Sequence, residues 1–432
     1  MDSIWTKNVR LPQFPVLEGD VKTDVLIIGG GITGLLCARF LQERGVDYLL
    51  VEGRTIGCGI TQNTTAKITL QHGLIYHKLI KDMGKELAGQ YLRANREAVG
   101  EYAKLCRKLD CDYEEKTSFV YSREDREILE EEADALAELG LSTHIEEGTA
   151  LPFPVAGALA VERQAQFHPL RFLAGIADGL HIREHTFVKE LREREAVTDH
   201  GTIQFRRAVF ATHFPIDNKH GMYFLKLYQH RSYVIALKNA IPVNGMYVDA
   251  VKSGMSFRDY NGMLLIGGGS HRTGKQGGNW AELRSFARQY YPDAKEVGCW
   301  ATQDCMSLDG IPYIGQYAAT LPNCFVATGF NKWGITSSMV AARLLADSVM
   351  ERENPYAEVF NPSRSMWHGQ LFFNGLEAVG NLLTFSTRRC PHMGCTLKWN
   401  EVEHTWDCPC HGSRFDEQGQ VLDNPANGNL SL

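Results

Sequence analysis

Residues 24–52 read DVLIIGGGITGLLCARFLQERGVDYLLVE, and the class of the protein follows from them. Residues 24–28 form a short apolar run of β type. It leads into Gly29-Gly30-Gly31-Ile32-Thr33-Gly34. LLCARFLQERG follows, with apolar residues at helical spacing and Gly45 where a helix C-cap belongs. A second β run, DYLLVE, ends in Glu52. Strand, glycine turn, helix, strand and acid make a βαβ unit. A bare G-x-G-x-x-G is weak, because glycine turns are common. Here the context carries it: Glu52 lies 23 positions after Gly29, close to the spacing expected of a dinucleotide site. The glycines permit a tight turn and let the backbone approach a pyrophosphate. The helix N-terminus binds the phosphates, and the Glu52 carboxylate accepts a hydrogen bond from a ribose hydroxyl.

Outward from this unit, residues 78–140 read as helical, with solvated charge runs such as EEEADALAELG. A β pattern returns in TIQFRRAVFATHF, about residues 203–213. Residues 232–270 alternate like an antiparallel sheet, with Asn261-Gly262 as a hairpin signal. Helices follow at 280–290 and at 334–350, and 351–370 reads as an irregular linker. The boundaries expected are a dinucleotide-binding body over 1–360, a linker over 351–370, and a small cysteine-rich domain over 371–432. Within the body, the dinucleotide-binding part takes about 20–77, 150–215 and 300–350, and a substrate part takes about 78–149 and 216–299. The fold class expected is α/β, a Rossmann-type domain plus a mixed or antiparallel substrate sheet, with a small all-β C-terminal domain.

The chain has 432 residues, 45 Lys+Arg against 51 Asp+Glu, and a formal net charge of −6. With no basic arm, nucleic acid is not an expected partner. No apolar run reaches the ~20 residues of a membrane span. The first residues, MDSIWTKNVRLPQFP, lack the pattern of a secretory signal, so a cytoplasmic location is the expectation. Seven of the eleven cysteines are scattered, and four fall within the last 43 residues with histidines between them. Those four belong to Cys390-Pro-His392-Met-Gly-Cys395 and Cys408-Pro-Cys410-His411-Gly-Ser413, a metal-site signal. Three readings stand: a structural zinc site with Cys and His ligands, an all-cysteine 2Fe–2S cluster, or a Rieske cluster with two thiolates on one iron and two imidazoles on the other. The last accounts for both spacings and for the leftover cysteines together.

CPHMGC-TLKWN and WDCPCHGSRFD closely resemble Rieske proteins. The resemblance implies that Cys390 and Cys408 bind one iron and His392 and His411 the other. It implies that Cys395 and Cys410 form a loop-to-loop disulfide, and that Asn424-Pro425-Ala426 is the proline loop over the cluster, where the family usually has Gly at position 424. The domain is short for that family. High-potential members carry Tyr where Phe415 stands here, while Ser413 is kept.

GRTIGCGITQNTTAKITLQHG after Glu52, LDGIPYIG at 308–315 and ATGFNKWGITSSMVAARLLADSV at 327–349 resemble the D-amino-acid-oxidase-like flavoproteins. This resemblance implies FAD held by Gly29, Gly31, Gly34, Glu52, Arg54, Thr65, Lys67, Val188, Gly329, Asn331, Gly334 and Thr336. No second G-x-G-x-x-G stands in a strand–helix setting, so no separate NAD(P)H domain is inferred. Together the segments resemble FAD-dependent oxidoreductases that fuse a D-amino-acid-oxidase-like body to a C-terminal Rieske 2Fe–2S domain. The activity implied is oxidation of a small amine or amino-acid-type substrate, with electrons passing through the cluster to an external acceptor or donor protein. Lys67, Arg231 and His271 are the candidate catalytic residues, with Tyr228 and His230 beside them; Arg231 is placed to pair with a substrate carboxylate. Two alternatives remain: an electron-transfer protein without a small-molecule substrate, and a flavoprotein with a zinc-stabilised tail.

Overall fold

The computed structural model describes residues 2–217, 219–277, 279–384 and 388–430. Among them, the βαβ unit forms as its sequence dictates. Val21–Ile28 pairs in parallel with Tyr48–Val51 on one side and Thr202–Phe210 on the other, and Ile32–Glu43 is the crossover helix. Leu26, Ile27 and Ile28 are fully or nearly fully buried, as a parallel strand covered on both faces requires. Leu321–Thr328 extends the sheet in parallel beyond Thr202–Phe210, and Tyr313–Ala318 closes that edge antiparallel. The helix Gly334–Val349 packs against Ile32–Glu43, and Thr33 Oγ1 meets Ser338 Oγ at 2.8 Å.

A second sheet has nine strands among the described residues, eight on its main path and His144–Glu146 paired off it to Gly157–Gln166. Its path runs Lys295–Ser307, Leu227–Lys238, Met263–Arg272, Ser256–Tyr260, Met246–Asp249, Glu114–Ser122, Gly157–Gln166, Lys67–Ile68. The Asn261-Gly262 hairpin forms with φ of 47° and 71°, both in the left-handed region that a two-residue hairpin turn needs.

Three expectations need correction here. The 78–140 stretch is not helical throughout, since Glu114–Ser122 is an inner strand between Met246–Asp249 and Gly157–Gln166. Its first three residues are charged, and only the Ser118–Ser122 half, rich in β-formers, is buried. Nor does 150–215 belong wholly to the dinucleotide layer, because Gly157–Gln166 sits in the second sheet. Finally, 351–370, expected as an irregular linker, holds a short helix and packs on the body. Ala357–Phe360 is a helical turn with Val359 and Phe360 buried, and Arg364 pairs with Asp309 at 2.6 Å.

The C-terminal part holds a four-stranded antiparallel sheet, Lys398–Asn400, Thr405–Asp407, Arg414–Phe415 and Val421–Asp423. A helix, Gly369–Leu383, precedes it where the sequence reading had linker and β structure. So small a sheet has little core of its own. It is held to the body instead. Arg231 Nε donates to Glu403 Oε1 at 3.0 Å, and Gln229 Nε2 and Gln303 Nε2 donate to the carbonyls of His411 and Gly412 at 2.7 and 2.8 Å. One guanidinium, Arg272, reaches Pro409 O, Cys410 O and Asn374 Oδ1 at 2.9–3.2 Å.

Candidate active site and metal centre

The glycine loop opens one end of a long cavity of about 820 Å³, a size typical of cofactor and ligand sites. Gly29 has φ +111°, and a Cβ there would meet Ala211 O at 2.5 Å; a Cβ on Gly34 would meet Gly29 O at 1.9 Å. Those two glycines let the turn, the helix and the neighbouring loop close on one another. Gly31, by contrast, faces the cavity, where a Cβ meets only Thr61 Oγ1 at 3.4 Å. Gly31 and Trp333, the N-cap residues of Ile32–Glu43 and Gly334–Val349, supply no side-chain cap, although Thr61 Oγ1 accepts from Ile32 N–H at 3.2 Å. Both leave backbone N–H groups for an anion or a carbonyl. The Glu52 carboxylate stands at the rim, fixed by Gly30 N–H at 2.7 Å and Arg54 N–H at 2.9 Å. These features fit a dinucleotide. Replacing Gly31 with Val fills the approach to the helix N-terminus while leaving the packed glycines alone. The Gly31→Val protein is expected to purify without the yellow of bound FAD, with full FAD content as the contrary result.

Of the residues proposed to hold FAD, Gly29, Gly31, Glu52, Arg54, Thr65, Lys67, Val188, Asn331 and Gly334 line this cavity. Gly34, Gly329 and Thr336 lie behind it. Thr336 Oγ1 donates to Thr69 O at 2.7 Å and accepts from Thr69 N–H at 3.2 Å, which ties Gly334–Val349 to the segment after Lys67–Ile68. Arg258, fully buried, donates to Thr65 O and Ala66 O at 2.7 Å and so sets the segment just before Lys67. Lys67 is pushed down to about 7 by burial and by the Arg258 charge.

Two of the candidate catalytic residues are elsewhere. Arg231 is buried against Glu403 of the C-terminal domain, and its side chain is not part of the cavity wall. The role of substrate-carboxylate partner is therefore withdrawn; the guanidinium is already committed to a carboxylate within the protein. His271 stacks on Tyr233, with ring centroids 5.7 Å apart, and its Nδ1 lies 3.2 Å from Gly269 O, again off the cavity wall. The second sheet presents Tyr228, His230, Ser256, Ser270 and Asp304 to the cavity instead, with Lys252 and Lys332 from loops. Sequence reasoning missed Lys332 and Asp304. The one charge inside the apolar glycine turn GFNKWG was the signal available. Lys332 Nζ is bonded to Ser270 Oγ. Burial pushes Asp304 up to about 6 against the pull of Lys332 and Arg231. Burial, with Lys332 and Arg272 nearby, pushes His230 down to about 3, so the imidazole is neutral at physiological pH.

The C-terminal sheet presents two matching loops. In the first, Cys390 N–H donates to Cys395 O and Gly394 N–H to Cys390 O; in the second, Cys408 N–H donates to Ser413 O and Gly412 N–H to Cys408 O, all at 2.8–2.9 Å. Cys395 and Cys410 join as a disulfide, with Cα atoms 6.6 Å apart. That leaves Cys390, Cys408, His392 and His411 as donors, with the imidazole centroids 4.8 Å apart. His411 Nδ1 is buried without a hydrogen-bond partner, and burial pushes the ring down to about 3, the neutral state a metal takes. Hydrogen bonds from Cys408, then Ser413 and the local backbone, lower the Cys390 thiol despite its burial. Such a donor set fits a cluster with mixed thiolate and imidazole ligation.

The two sites share a wall. Ala211, Thr212 and His213 line the cavity on one side, and Phe214 then meets the rings of His392 and His411 at 6.2 and 6.3 Å. Asn424, where Rieske domains usually have Gly, uses its side-chain amide to donate to Thr212 O and Phe214 O. Residues 421–424, with Ala426 and Asn427, roof part of the cavity.

Two helix N-termini without an N-cap side chain, a ribose-type carboxylate and an adjoining Cys₂His₂ centre fit a flavin and iron–sulfur oxidoreductase. The chain belongs to the FAD dependent oxidoreductase family, whose profile matches residues 24–348, and it carries a Rieske [2Fe-2S] domain matched over 366–431. Its FAD and 2Fe–2S cofactors follow from these families. Among its relatives, the Rieske 2Fe-2S iron-sulfur protein YhfW of Bacillus subtilis is 33% identical over 98% of this chain and 96% of that protein. Glycine oxidase from Geobacillus kaustophilus shares the fold of the body, with TM-score 0.67 and 20% identity over 80% of this chain and 99% of that one. L-proline dehydrogenase from P. horikoshii does likewise, with TM-score 0.67 and 18% identity over 81% and 98% of the two chains.

Phe415 is fully buried in the small core that holds Cys390 and Cys408. It offers no donor to a ligand sulfur. A hydrogen bond to a charged group is worth about 1.5–3 kcal/mol, which is about 65–130 mV for one electron. A donor to sulfur favours the more negative reduced cluster. The reduction potential is expected below that of Tyr-bearing Rieske proteins, and Phe415→Tyr should raise it by tens of millivolts in a redox titration followed by circular dichroism. A variant that does not move upward contradicts this account of cluster tuning.

Proposed function

We propose that the protein oxidises an amino acid or related amine that carries a carboxylate, at the carbon beside nitrogen, and passes the electrons singly through its Rieske centre to an external acceptor. A bound flavin accepts two electrons and can yield them one at a time, whereas a 2Fe–2S cluster carries one. The observation that carries the reading is the shared wall: Ala211–Phe214 borders the flavin cavity and touches both cluster imidazoles. The substrate class is supported by the groups in the cavity. Lys252 and Lys332 supply positive charge for a carboxylate, Asp304 supplies an acceptor for an amine, and neutral His230 adds a hydrogen-bonding group between them. Lys67 is held beside Thr65 and Ser256, at 3.2 and 3.4 Å, and orders the polar groups near the flavin. The acceptor is proposed to be outside the chain, in keeping with the single-electron centre at its end.

The test is an anaerobic screen of cyclic, N-methyl, neutral and acidic amino acids and of simple amines, following flavin absorption. Bleaching by a carboxylate-bearing amine, weakened at least tenfold in affinity by Lys332→Met, is the expected result. If none bleaches the flavin while a reduced ferredoxin does, the protein is an electron carrier without a small-molecule substrate.

A further inference from the structure

The helix Gly369–Leu383 is amphipathic with its faces reversed. Gln370, Asn374, Glu377 and Asn381 recur at helical spacing and turn toward the protein. Asn374 is buried between Arg272, Gln370 and the Leu225 carbonyl, Glu377 pairs with Lys275 at 2.7 Å, and Asn381 donates to Glu377 Oε1 at 2.7 Å. The apolar residues point outward. Phe372 and Phe373 are 67% and 64% exposed, Leu376 and Val379 55% each, and Trp367 just before the helix 88%. Exposed apolar side chains gathered on one helix face mark an interaction surface.

We infer that this face seats the protein on an anionic lipid surface. Three observations select that occupant. First, the helix spends its polar side chains inward, so among the described residues of the helix its outward face is built of apolar side chains. A protein partner would leave an interface lacking the ten or so hydrogen bonds that such contacts carry, whereas acyl chains require none. Second, the rim is basic in a chain of net charge −6. Arg389 donates to the carbonyls of Leu382, Thr384 and Gly394, and the exposed Arg388, which stacks over Trp406 at 4.0 Å, and Lys398 lie nearby. Two copies meeting through this face would bring like charges together, while anionic headgroups complement them. Third, the face is continuous with the first cluster loop. Leu382 lies 3.9 Å from the space a Cβ on Gly394 would take, and Met393 is 40% exposed beside it. Seating the helix in the interface therefore turns the His392 side of the centre toward the lipid. This inference rests on the helix and its rim, not on the identity of the substrate.

The test uses the full chain loaded with FAD and iron. It is sedimented with vesicles of phosphatidylcholine alone or mixed with phosphatidylglycerol. Wild type is expected to sediment with the anionic vesicles, more weakly at high salt, and poorly with the neutral ones. Phe372→Ser with Phe373→Ser should lower the bound fraction about tenfold or more. Because both side chains are exposed, FAD and iron contents should not change, and Leu376→Ser with Val379→Ser provides an independent pair. Absence of sedimentation with either vesicle overturns the inference. So does equal binding by wild type and both variant pairs, equal binding to neutral vesicles, or a concentration-dependent dimer that the variants dissolve.

Discussion

Arg231→Met should leave the body folded and FAD-bound while releasing the Rieske domain from it. Glu403 lies between two guanidiniums, Arg231 of the body and Arg414 of its own domain, with Tyr233 Oη 3.1 Å away. Removing one partner of such a buried pair costs about 3–5 kcal/mol, because the other charge stays buried. That corresponds to a shift of about two to three and a half orders of magnitude in the docked population. The expected readouts are new proteolytic cleavage around 351–370 and at least tenfold slower equilibration between flavin and cluster, with FAD content unchanged. Acid should mimic the substitution. Burial alone would raise the Glu403 carboxyl, but Arg231 and Arg414 outweigh it and hold it below its ordinary 4.5. A carboxylate depressed in the folded state contributes stability that is complete above its unfolded value and lost as pH falls through the folded one. Docking should therefore be insensitive to pH near neutrality and weaken only below about 4.5. Release at pH 6 would contradict the clamp.

Replacing His411 with Ala should have the larger effect on the domain itself. The imidazole is a proposed cluster ligand, its ring meets Phe214 and Phe224 at 6.3 Å, and its backbone carbonyl accepts from Gln229. Loss of the cluster removes much of what orders a four-stranded sheet with a core of few side chains. The low-average-g spin-resonance signal should vanish, iron should fall toward zero per chain, and the C-terminal domain should become the first segment digested. His392→Ala should abolish the same signal. An unchanged signal in both variants would mean that the cysteines alone hold the iron.

What could be read in the sequence was what is local in the chain. The glycine turn, its helix and Glu52 sit within 30 residues, so their pattern was legible although Ala211 and Thr202–Phe210 complete their packing. The cluster loops are local too, so their ligand spacing was legible. Arg231 was misread for the opposite reason, since its partner Glu403 is 172 residues away and a strand arginine looks alike whether it faces a substrate or another domain. The strand Glu114–Ser122 was hidden by the charges at its start. The helix Gly369–Leu383 was hidden because its apolar stripe faces outward, which defeats the assumption that apolar means buried. Asn424 had been noted as a departure from Gly. Its reason became visible only when the wall it bonds, 210 and more residues earlier, was brought beside it.

The central claim is that one chain carries electrons from its flavin cavity to its Rieske centre across the Ala211–Phe214 wall. Anaerobic photoreduction of the bound FAD, followed by spin resonance at several protein concentrations, tests it without any knowledge of the substrate. The reduced Rieske signal is expected to appear at a rate independent of protein concentration and to slow in the Arg231→Met protein. A flavin that bleaches fully while the cluster stays oxidised, or a rate that rises in proportion to protein concentration, would contradict it.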